Sequence, residues 1–277
     1  MVTIPFSDGT DVLQRLEDFP SRFITPRHVD IWLPPAYADQ AELRFPVLYM
    51  HDGQNLFDPA LSYGGVDWGM DEAVQRWMAQ TGRPGVIVVG IWNSPQRWQD
   101  YMPARPLAAP QASAGLKRFI RQAGGPPRSD DYLRFLVQEL KPFVDAHFRT
   151  LPEREHTLVM GSSMGGLISL YALSEYPLVF GGAGCLSTHW PAGGHRLVKA
   201  MGAVLPRAGG HRLYFDYGTA TLDESYEPYQ QALDRWIRAA GYRQGVDWLT
   251  RKFEGAEHSE RAWRVRVDLP HGFLLSG

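Results

Sequence analysis

The sequence predicts a single α/β domain over residues 1–277, with a doubly wound, mostly parallel sheet flanked by helices. Two short, continuous apolar runs, Phe45–Met50 (FPVLYM) and Gly85–Trp92 (GVIVVGIW), are typical of strands buried on both faces of a parallel sheet. Segments with helical periodicity alternate with such runs along the chain. No internal repeat or linker-like stretch interrupts this alternation, and the length is ordinary for one large α/β sheet.

The other elements follow from the same patterns. Residues 21–34 alternate and predict an edge or hairpin strand, because Pro26 interrupts the segment. Four further strands are predicted at Thr157–Met160, Gly182–Ser187, Leu213–Tyr217 and Asp247–Phe253. Helices are predicted from Asp71 to Gln80, from Ser129 to Phe148 with a kink at Pro142, over Leu167–Leu173, over Tyr229–Ala240 and over most of 259–275.

Residues 94–127 break this rhythm. The segment is rich in Pro, Ala, Arg and Gln, and a short helix near Leu116–Gln122 is its only periodic stretch. A connection of this length inside a compact domain is usually functional or mobile. We interpret it as a lid or pocket-wall insertion, with a surface insertion of no catalytic role as the alternative.

Charge, apolar content and cysteine count indicate which kinds of partner and metal site to expect. The net charge of −2 gives no basic footprint, so we expect no nucleic-acid partner. No apolar run approaches the roughly 20 residues that span a bilayer, and the start lacks the pattern of a secretory signal, so we expect a cytoplasmic protein without a membrane partner. The single cysteine, Cys185, excludes an internal disulfide and disfavours a cysteine-based metal site. The oligomeric state is not indicated.

The clearest chemical signal is the stretch Gly161–Gly165, which reads G-x-S-x-G around Ser163 between a predicted strand and a predicted helix. A serine on such a turn is strained and exposes its hydroxyl at the tip. The two glycines leave room for neighbouring chain, and the N–H of Met164 lies free at the positive end of the helix dipole, where it can stabilise an oxyanion. A plain glycine-serine loop is the alternative.

A nucleophilic serine needs a histidine base. Five histidines follow Ser163, and His258 stands in the loop after the last predicted strand, at the carboxyl rim of the sheet. His271 belongs to an apolar segment and is expected to be packed or on the surface. His211 precedes a strand and is expected at the opposite rim. His258 is therefore the predicted base.

The orienting acid is expected after the next-to-last strand. Asp223 follows a glycine-containing turn, from which a carboxylate can bend towards the histidine. Asp216, which is still on the strand, and Glu224 are the alternatives, and Asp223 or Glu224 could instead cap the following helix. Asp223 is our prediction.

The loop after Phe45–Met50 is expected to supply a second oxyanion donor. Its sequence predicts the N–H of Gln54 as the donor, with Gly53 giving the backbone room to approach. His51 and Asp52 could suggest a metal site with His189 or His258 as a third ligand. No metal-ligand spacing supports that site, so no metal is expected.

Four residues are predicted to line the substrate pocket. Trp190 follows a strand end and Trp68 follows the His51–Gly53 loop, while Arg97 and Tyr101 lie at the start of the insertion. Aromatic rings at the rim could stack on an aromatic or sugar-bearing substrate. Packing in the core or at the rim is the alternative for each of them.

The chain resembles the esterase D and enterochelin-esterase-like esterases of the α/β-hydrolase superfamily. The resemblance is carried by VLYMHDGQNLFD at 47–58, VDWGMDEA at 66–73, VVGIWNSPQRWQDYMP at 88–103, YLRFLVQELKPFVD at 132–145, GSSMGGLISL at 161–170, LYFDYGTATLD at 213–223 and GAEHSERAW at 255–263. It implies the α/β-hydrolase fold, Ser163 as nucleophile, His258 as base, Asp223 as acid and no metal or organic cofactor. Many such hydrolases have His-Gly where this chain has Asp52-Gly53, so the donor from this loop stays open.

The sequence thus predicts a serine hydrolase of carboxylic esters that forms an acyl-enzyme on a small-molecule ester. An acyltransferase, in which an alcohol replaces water, would use the same residues. A catalytically silent hydrolase-fold protein that only binds ligands is the second alternative.

Overall fold

The computed structural model describes residues 1–108 and 113–276, and over these residues nine strands form one sheet. The strands are β1 (Val2–Pro5), β2 (Val12–Phe19), β3 (Arg27–Trp32), β4 (Val47–His51), β5 (Ile87–Ile91), β6 (Thr157–Ser162), β7 (Gly182–Leu186), β8 (Arg212–Gly218) and β9 (Trp248–Phe253). Their order in the sheet is β1-β2-β3-β5-β4-β6-β7-β8-β9. The last six strands in chain order are mutually parallel, and β1 to β3 extend the sheet in antiparallel fashion.

Helices cover both faces of this sheet. They are α1 (Ala36–Asp39), α2 (Met70–Thr81), α3 (Arg97–Tyr101), α4 (Ala104–Leu107), α5 (Ser113–Ala123), α6 (Ser129–Phe135), α7 (Lys141–His147), α8 (Met164–Glu175), α9 (Gly194–Ala203), α10 (Glu227–Ala239), α11 (Glu260–Arg266) and α12 (Asp268–Leu275). Apolar side chains of α6 to α10 form a core on one face, and those of α2, α11 and α12 form a second core on the other. Both faces of β4 and β5 are therefore buried, which explains their continuous apolar sequences. The predicted α/β fold is confirmed.

The amino-terminal hairpin departs from the prediction. Strands β1 and β2 were not predicted, and β3 is an interior strand that pairs with both β2 and β5. The register shifts between Leu16 and Phe19, and Asp18 has a φ of 45°. This bulge breaks the alternation of β2, so a period-two pattern could not reveal the strand. Pro26 precedes β3 and does not interrupt it.

The helix predicted from Ser129 to Phe148 is irregular near Pro142. Its two parts, α6 and α7, are joined by a π-helical stretch, Leu136–Leu140. Pro142 has no N–H to donate to the carbonyl of Gln138, and its ring crowds that carbonyl. The wider π-helical turn ends at Leu140, two residues before the proline, while the kink itself stays a prediction.

The insertion is more regular than its sequence indicated. Helices α3, α4 and α5 lie within 94–127, so the expectation of a single short helix was wrong; that helix lies inside α5, and residues 109–112 fall outside the described residues. Helix α3 contacts α6 and α8, and α4 contacts α9. The insertion is thus packed on the domain beside the carboxyl ends of the strands.

Over residues 1–108 and 113–276, no helix combines the length and apolar character that crossing a bilayer requires.

Candidate active site

Ser163 occupies a strained turn between β6 and α8. Its φ and ψ are 57° and −121°, a region that non-glycine residues rarely adopt and that costs about 1–3 kcal/mol. Four hydrogen bonds hold this backbone. The N–H of Ser163 donates to the carbonyl of Leu186 (2.8 Å), and its carbonyl accepts from the N–H groups of Gly166 and His189 (both 3.1 Å) and of Leu167 (3.3 Å). These hydrogen bonds hold the strained turn in place and keep the partly exposed Ser163 at the carboxyl edge of the sheet.

The two glycines of the motif differ in their need for space. A Cβ on Gly161 would lie 2.9 Å from the carbonyl carbon of Gly165, so a larger residue there would displace the helix start. A Cβ on Gly165 would lie 3.4 Å from the Cβ of His51, which is an ordinary contact. The predicted crowding is confirmed for Gly161 and is weak for Gly165.

Asp223 and His258 are in direct contact at the same edge. The Oδ1 atom of Asp223 lies 2.6 Å from Nδ1 of His258. The Oδ2 atom accepts from the hydroxyl of Ser187 and from the N–H of Gly218, each at 2.6 Å. Burial alone would raise the pKa of Asp223, but these hydrogen bonds outweigh it and hold the pKa below 3.8. Asp223 is therefore an anion whose two oxygens are both engaged.

The two alternative acids have other surroundings. Asp216 is buried on β8, where its Oδ1 lies 3.0 Å from Nη2 of Arg266 and its Oδ2 accepts from the hydroxyl of Tyr214 at 3.2 Å. Glu224 is exposed on the 3-10 turn that carries Asp223. Of the three acids considered, Asp223 is the one that contacts His258 in this structure.

Ser187 links the two buried carboxylates. Its hydroxyl donates to Asp223 and accepts from the indole N–H of Trp263 (3.1 Å) and from Nη2 of Arg266 (2.9 Å). The same Arg266 nitrogen donates to Asp216. Ser187 is fully buried at the end of β7 and has a φ of 42°. It thus holds one oxygen of the Asp223 carboxylate while His258 contacts the other.

The other histidines differ from His258 in their partners. His211 precedes β8, and its Nε2 contacts the carbonyl of Pro177 at 2.8 Å. His271 is completely buried, with Nδ1 2.8 Å from the carbonyl of Val267, and His195 is exposed on α9. The expected placements of His211 and His271 are confirmed. His189 lies beside His258, but its Nδ1 contacts the hydroxyl of Tyr226 (2.6 Å) and no carboxylate.

The predicted oxyanion loop is a tight turn at the end of β4. Asp52 has left-handed φ and ψ of 59° and 46°, and a 3-10 helix follows over Gly53–Asn55. The backbone of Gly53 lies against Gly90 on β5 so closely that a Cβ on Gly53 would overlap its carbonyl carbon. Gln54 follows at the first turn of this short helix, where N–H groups have no partner within the helix.

An arginine holds this loop from the insertion. Nε and Nη2 of Arg97 each lie 2.7 Å from one oxygen of Asp52, and the side-chain amide of Asn93 donates to the same carboxylate at 2.7 Å. Burial alone would raise the pKa of Asp52, but the Arg97 and Asn93 contacts hold it below its ordinary value. The N–H of Asn93 also donates to the side-chain oxygen of Gln54 at 3.3 Å. The insertion therefore fixes the shape of the loop.

Burial changes the interpretation of the predicted substrate contacts. Trp190 and Tyr101 are completely buried, and Trp68 is 3% exposed. The indole of Trp190 donates to Gln230, the hydroxyl of Tyr101 accepts from the N–H of Asp52, and Trp68 packs on Trp263. These three side chains are packed within the protein, so they expose almost no surface to a substrate in this structure. The fourth, Arg97, is partly exposed but holds Asp52.

Within the part of the chain that the structure describes, no cluster of three or more His, Cys, Asp or Glu side chains could hold a metal ion. His51 instead contacts the hydroxyl of Tyr132 through Nδ1 at 2.8 Å.

A family model described as "Putative esterase" matches residues 21–269. The chain belongs to this esterase family. Among curated proteins, it is similar to "Uncharacterized protein YbbA" of Bacillus subtilis (strain 168), with 26% identity over 165 residues. That match covers 59% of this chain and spans 58% of the relative's length.

Solved structures share the fold of this esterase. An IroE-like serine hydrolase from Shewanella oneidensis has a TM-score of 0.70 at 22% identity, covering 94% of this chain and 80% of its own. The enterobactin esterase FES from Shigella flexneri has a TM-score of 0.65 at 20% identity, covering 98% and 59%. The siderophore hydrolase EstA from Aspergillus nidulans has a TM-score of 0.61 at 16% identity, covering 91% and 92%. At these identities the comparison shows the α/β-hydrolase fold.

Sequence reasoning missed three residues of the site: Ser187 contacts Asp223, His189 lies beside His258, and Trp98 lies beside His189. Ser187, His189 and Trp98 all lie at carboxyl ends of strands or in the insertion, and the ring of Trp98 lies 5.8 Å from that of His189. The position of Ser187 and His189 directly after β7 was a usable signal, because that edge carries the other site residues. Nothing in the sequence distinguishes the 44% exposed Trp98 from its buried neighbours.

Proposed function

We propose that this esterase hydrolyses carboxylic esters through an acyl-enzyme intermediate on Ser163, with His258 as base and Asp223 as the orienting acid. The observation that carries the proposal is the 2.6 Å contact between Nδ1 of His258 and Oδ1 of Asp223. An anionic partner makes Nδ1 the protonated nitrogen, so the lone pair of Nε2 is available to a serine hydroxyl. The backbone bond from His189 to Ser163 and the 6.4 Å separation of the His189 and His258 rings support the nearness of nucleophile and base.

The reaction has two steps. In the first, Nε2 of His258 takes the proton of Ser163 while Oγ attacks the ester carbonyl, and the N–H groups of Met164 and Gln54 stabilise the oxyanion. The carbon–oxygen bond to the alcohol then breaks, and His258 returns the proton to the departing oxygen. In the second step, water attacks the acyl-serine by the same route and releases the carboxylic acid.

Residues 94–127 are proposed to form one wall of the pocket. The exposed ring of Trp98 supports this role. It lies beside the ring of His189, and its centroid is 6.4 Å from that of Phe119 on α5. Arg97 of the same segment acts on the oxyanion loop through Asp52. The insertion thus contributes both to the pocket and to the geometry of the reaction.

The test is hydrolysis of a short-to-long series of 4-nitrophenyl esters by the wild type, Ser163→Ala and Ser162→Ala. We expect Ser163→Ala to lose roughly 10⁴–10⁶-fold in kcat, and the neighbouring Ser162→Ala to retain activity. The best chain length measures the acyl pocket. Equal activity of wild type and Ser163→Ala would overturn the proposal.

Two alternatives predict different outcomes. An acyltransferase would convert added alcohol or sugar acceptors to esters faster than it releases free acid, which product analysis with and without acceptor detects. A catalytically silent binding protein would neither hydrolyse any ester nor react at Ser163 with a serine-directed phosphonate.

A further inference from the structure

His189 is fixed beside the proposed nucleophile. Its N–H donates to the carbonyl of Ser163 at 3.1 Å, so its backbone moves with the strained turn. Its ring lies 6.4 Å from the ring of His258 and 5.8 Å from that of Trp98, which it meets edge to face at 88°. A half-buried imidazole therefore lies between the proposed base and the exposed aromatic ring of the insertion.

The hydrogen bond to Tyr226 determines which nitrogen of His189 carries the proton. The Tyr226 hydroxyl is 2.6 Å from Nδ1, and Tyr226 is 1% exposed. Over the described residues, that hydroxyl has no other hydrogen-bond partner, so the arrangement that leaves no buried O–H group unpaired has Tyr226 donating to Nδ1. The hydrogen of the neutral ring consequently lies on Nε2. This tautomer has no lone pair on Nε2 to accept the proton of a serine, which separates His189 from His258.

The Nε2–H group of His189 is left available to a ligand. Within residues 1–108 and 113–276 it has no protein acceptor, and it is not among the buried polar atoms that lack a partner. Burial, with His258 and Arg97 nearby, lowers the pKa of His189 to about 4, so the ring is neutral near pH 7. A neutral N–H donor in a half-buried position can bind an uncharged oxygen without the cost of removing an anion from water, and it supplies no positive charge to offset that cost.

We propose that Nε2–H of His189 donates a hydrogen bond to an uncharged ether, carbonyl or hydroxyl oxygen of the substrate, close to the scissile ester. His189 is then a specificity-determining residue, and the esterase prefers esters that carry such an oxygen to their all-carbon counterparts. This inference rests on the proposed function, because it places the substrate between Ser163, His258 and Trp98.

The test uses two pairs of esters that differ only by one oxygen in place of a methylene. On the acyl side they are 4-nitrophenyl methoxyacetate and 4-nitrophenyl butyrate, and on the alcohol side 2-methoxyethyl acetate and butyl acetate. The ratio of kcat/KM within each pair is divided by the ratio for hydroxide-catalysed hydrolysis, which removes differences in intrinsic reactivity. The variants are His189→Phe, His189→Gln and Tyr226→Phe, with His195→Phe on α9 as the matched control.

We expect His189→Phe to lower the corrected ratio of at least one pair roughly 3- to 10-fold, the effect of one neutral hydrogen bond. His189→Gln, which keeps an N–H donor, should restore part of the ratio. Tyr226→Phe should lower the ratio, because without the hydroxyl the proton of His189 is no longer confined to Nε2. His195→Phe should leave both ratios unchanged. Unchanged ratios for both pairs in His189→Phe and Tyr226→Phe would overturn the inference.

A fluorescent phosphonate that reacts with serine separates the two levels of the proposal. Labelling of Ser163 and hydrolysis of 4-nitrophenyl butyrate by the variants, together with unchanged ratios, would refute the role of His189 alone. Absence of both labelling and hydrolysis in the wild type would refute the proposed function, and the inference with it.

Discussion

The two sides of Ser163 are held together by different interactions. On the acid–base side, which we define as Ser187, Asp223 and His258, hydroxyl, imidazole and backbone N–H groups surround a buried carboxylate. On the oxyanion side, defined as Asp52, Gly53 and Gln54, a bidentate arginine from the insertion holds the carboxylate. The acid of the first side contacts the proposed base, whereas the acid of the second only shapes the backbone.

Substitutions of the two carboxylates are therefore expected to differ in how far they affect the reaction and how far they affect stability. A carboxylate that touches the base changes the reaction when it is neutralised. A carboxylate that is paired with a buried arginine leaves an uncompensated charge when either partner is removed, which lowers stability. Asp216, paired with Arg266 just behind Asp223, provides a case of the second kind within the first region.

The largest expected effect is that of Asp223→Asn. Loss of the anion removes the preference for the proton on Nδ1 of His258, so we expect kcat to fall about 10³- to 10⁴-fold. Asp216→Asn should instead retain most of kcat while the free energy of unfolding falls by about 3 kcal/mol, because Arg266 loses its buried partner. Steady-state kinetics and urea unfolding measure both. Equal kinetic losses in the two variants would contradict the assignment of the acid.

A smaller effect is expected on the oxyanion side from Arg97→Met. Without Arg97, the left-handed turn at Asp52 loses its bidentate partner, so we expect lower stability and a kcat that falls roughly 10- to 100-fold with a smaller change in KM. Arg76→Met is the matched control, because Arg76 binds Asp268 with the same two-nitrogen geometry at an exposed position. The control should leave kcat unchanged. A loss confined to KM would indicate that Arg97 contacts substrate, as the sequence predicted, and does not position the loop.

Ser187→Ala tests the support behind the acid. The substitution removes one donor from Asp223 and leaves the indole N–H of Trp263 without its acceptor, so we expect about a tenfold loss in kcat and a lower melting temperature. Ser174→Ala, in which the lost hydroxyl donates only to a carbonyl of its own helix, should change neither by a comparable amount. Unaltered kcat in Ser187→Ala would show that His258 and Gly218 suffice to fix the carboxylate.

The smallest effect concerns acid stability, in which the two sides differ by pH range. Burial lowers the pKa of His51, next to Asp52, to about 3, so the unfolded chain binds a proton below pH 6.5 that the folded chain does not. This contribution is fully present above pH 6.5 and is lost as the pH falls. The contribution of Asp223 is fully present above about pH 3.8 and is lost only as the pH falls below that value, because its pKa is lowered from 3.8.

We therefore expect His51→Gln to flatten the dependence of unfolding free energy on pH between 7.5 and 5, by about 2 kcal/mol. The amide can still reach the hydroxyl of Tyr132. Urea unfolding at several pH values measures the slope, with His147→Gln on the surface of α7 as control. A slope equal to that of the wild type would contradict the buried, neutral state of His51.

The sequence predicted the parts of the site that local patterns encode. The turn at Ser163 has a strand, a helix and small residues at fixed spacing, and the loops of Asp223 and His258 each follow a recognisable strand. The contacts of Ser187 and Arg97 are between residues 36 and 45 positions apart, and no local pattern encodes them. The burial of individual tryptophans could not be predicted from the sequence either, since Trp190 is buried and Trp98 is exposed.

For the fold, too, the elements with a simple local pattern could be predicted and those that depend on distant contacts could not. Continuous apolar strands such as β4 and β5 could be predicted because burial on both faces leaves a simple pattern. The edge strand β1 and the bulged strand β2 bury too little in a regular alternation to be recognised. The helices of the insertion depend on tertiary contacts with α6, α8 and α9, which composition does not reveal.

Trapping an analogue of the acyl-enzyme tests most directly whether Ser163 is the nucleophile. Wild type, Ser163→Ala and Asp223→Asn are treated with an alkyl 4-nitrophenyl phosphonate, and peptide mass spectrometry locates the adduct while released nitrophenol gives the rate. We predict one equivalent of adduct on Ser163 in the wild type, a much slower reaction at the same residue in Asp223→Asn, and none in Ser163→Ala. An adduct on another residue, or an ester hydrolase that turns over normally while Ser163 stays unmodified, would contradict this role of Ser163.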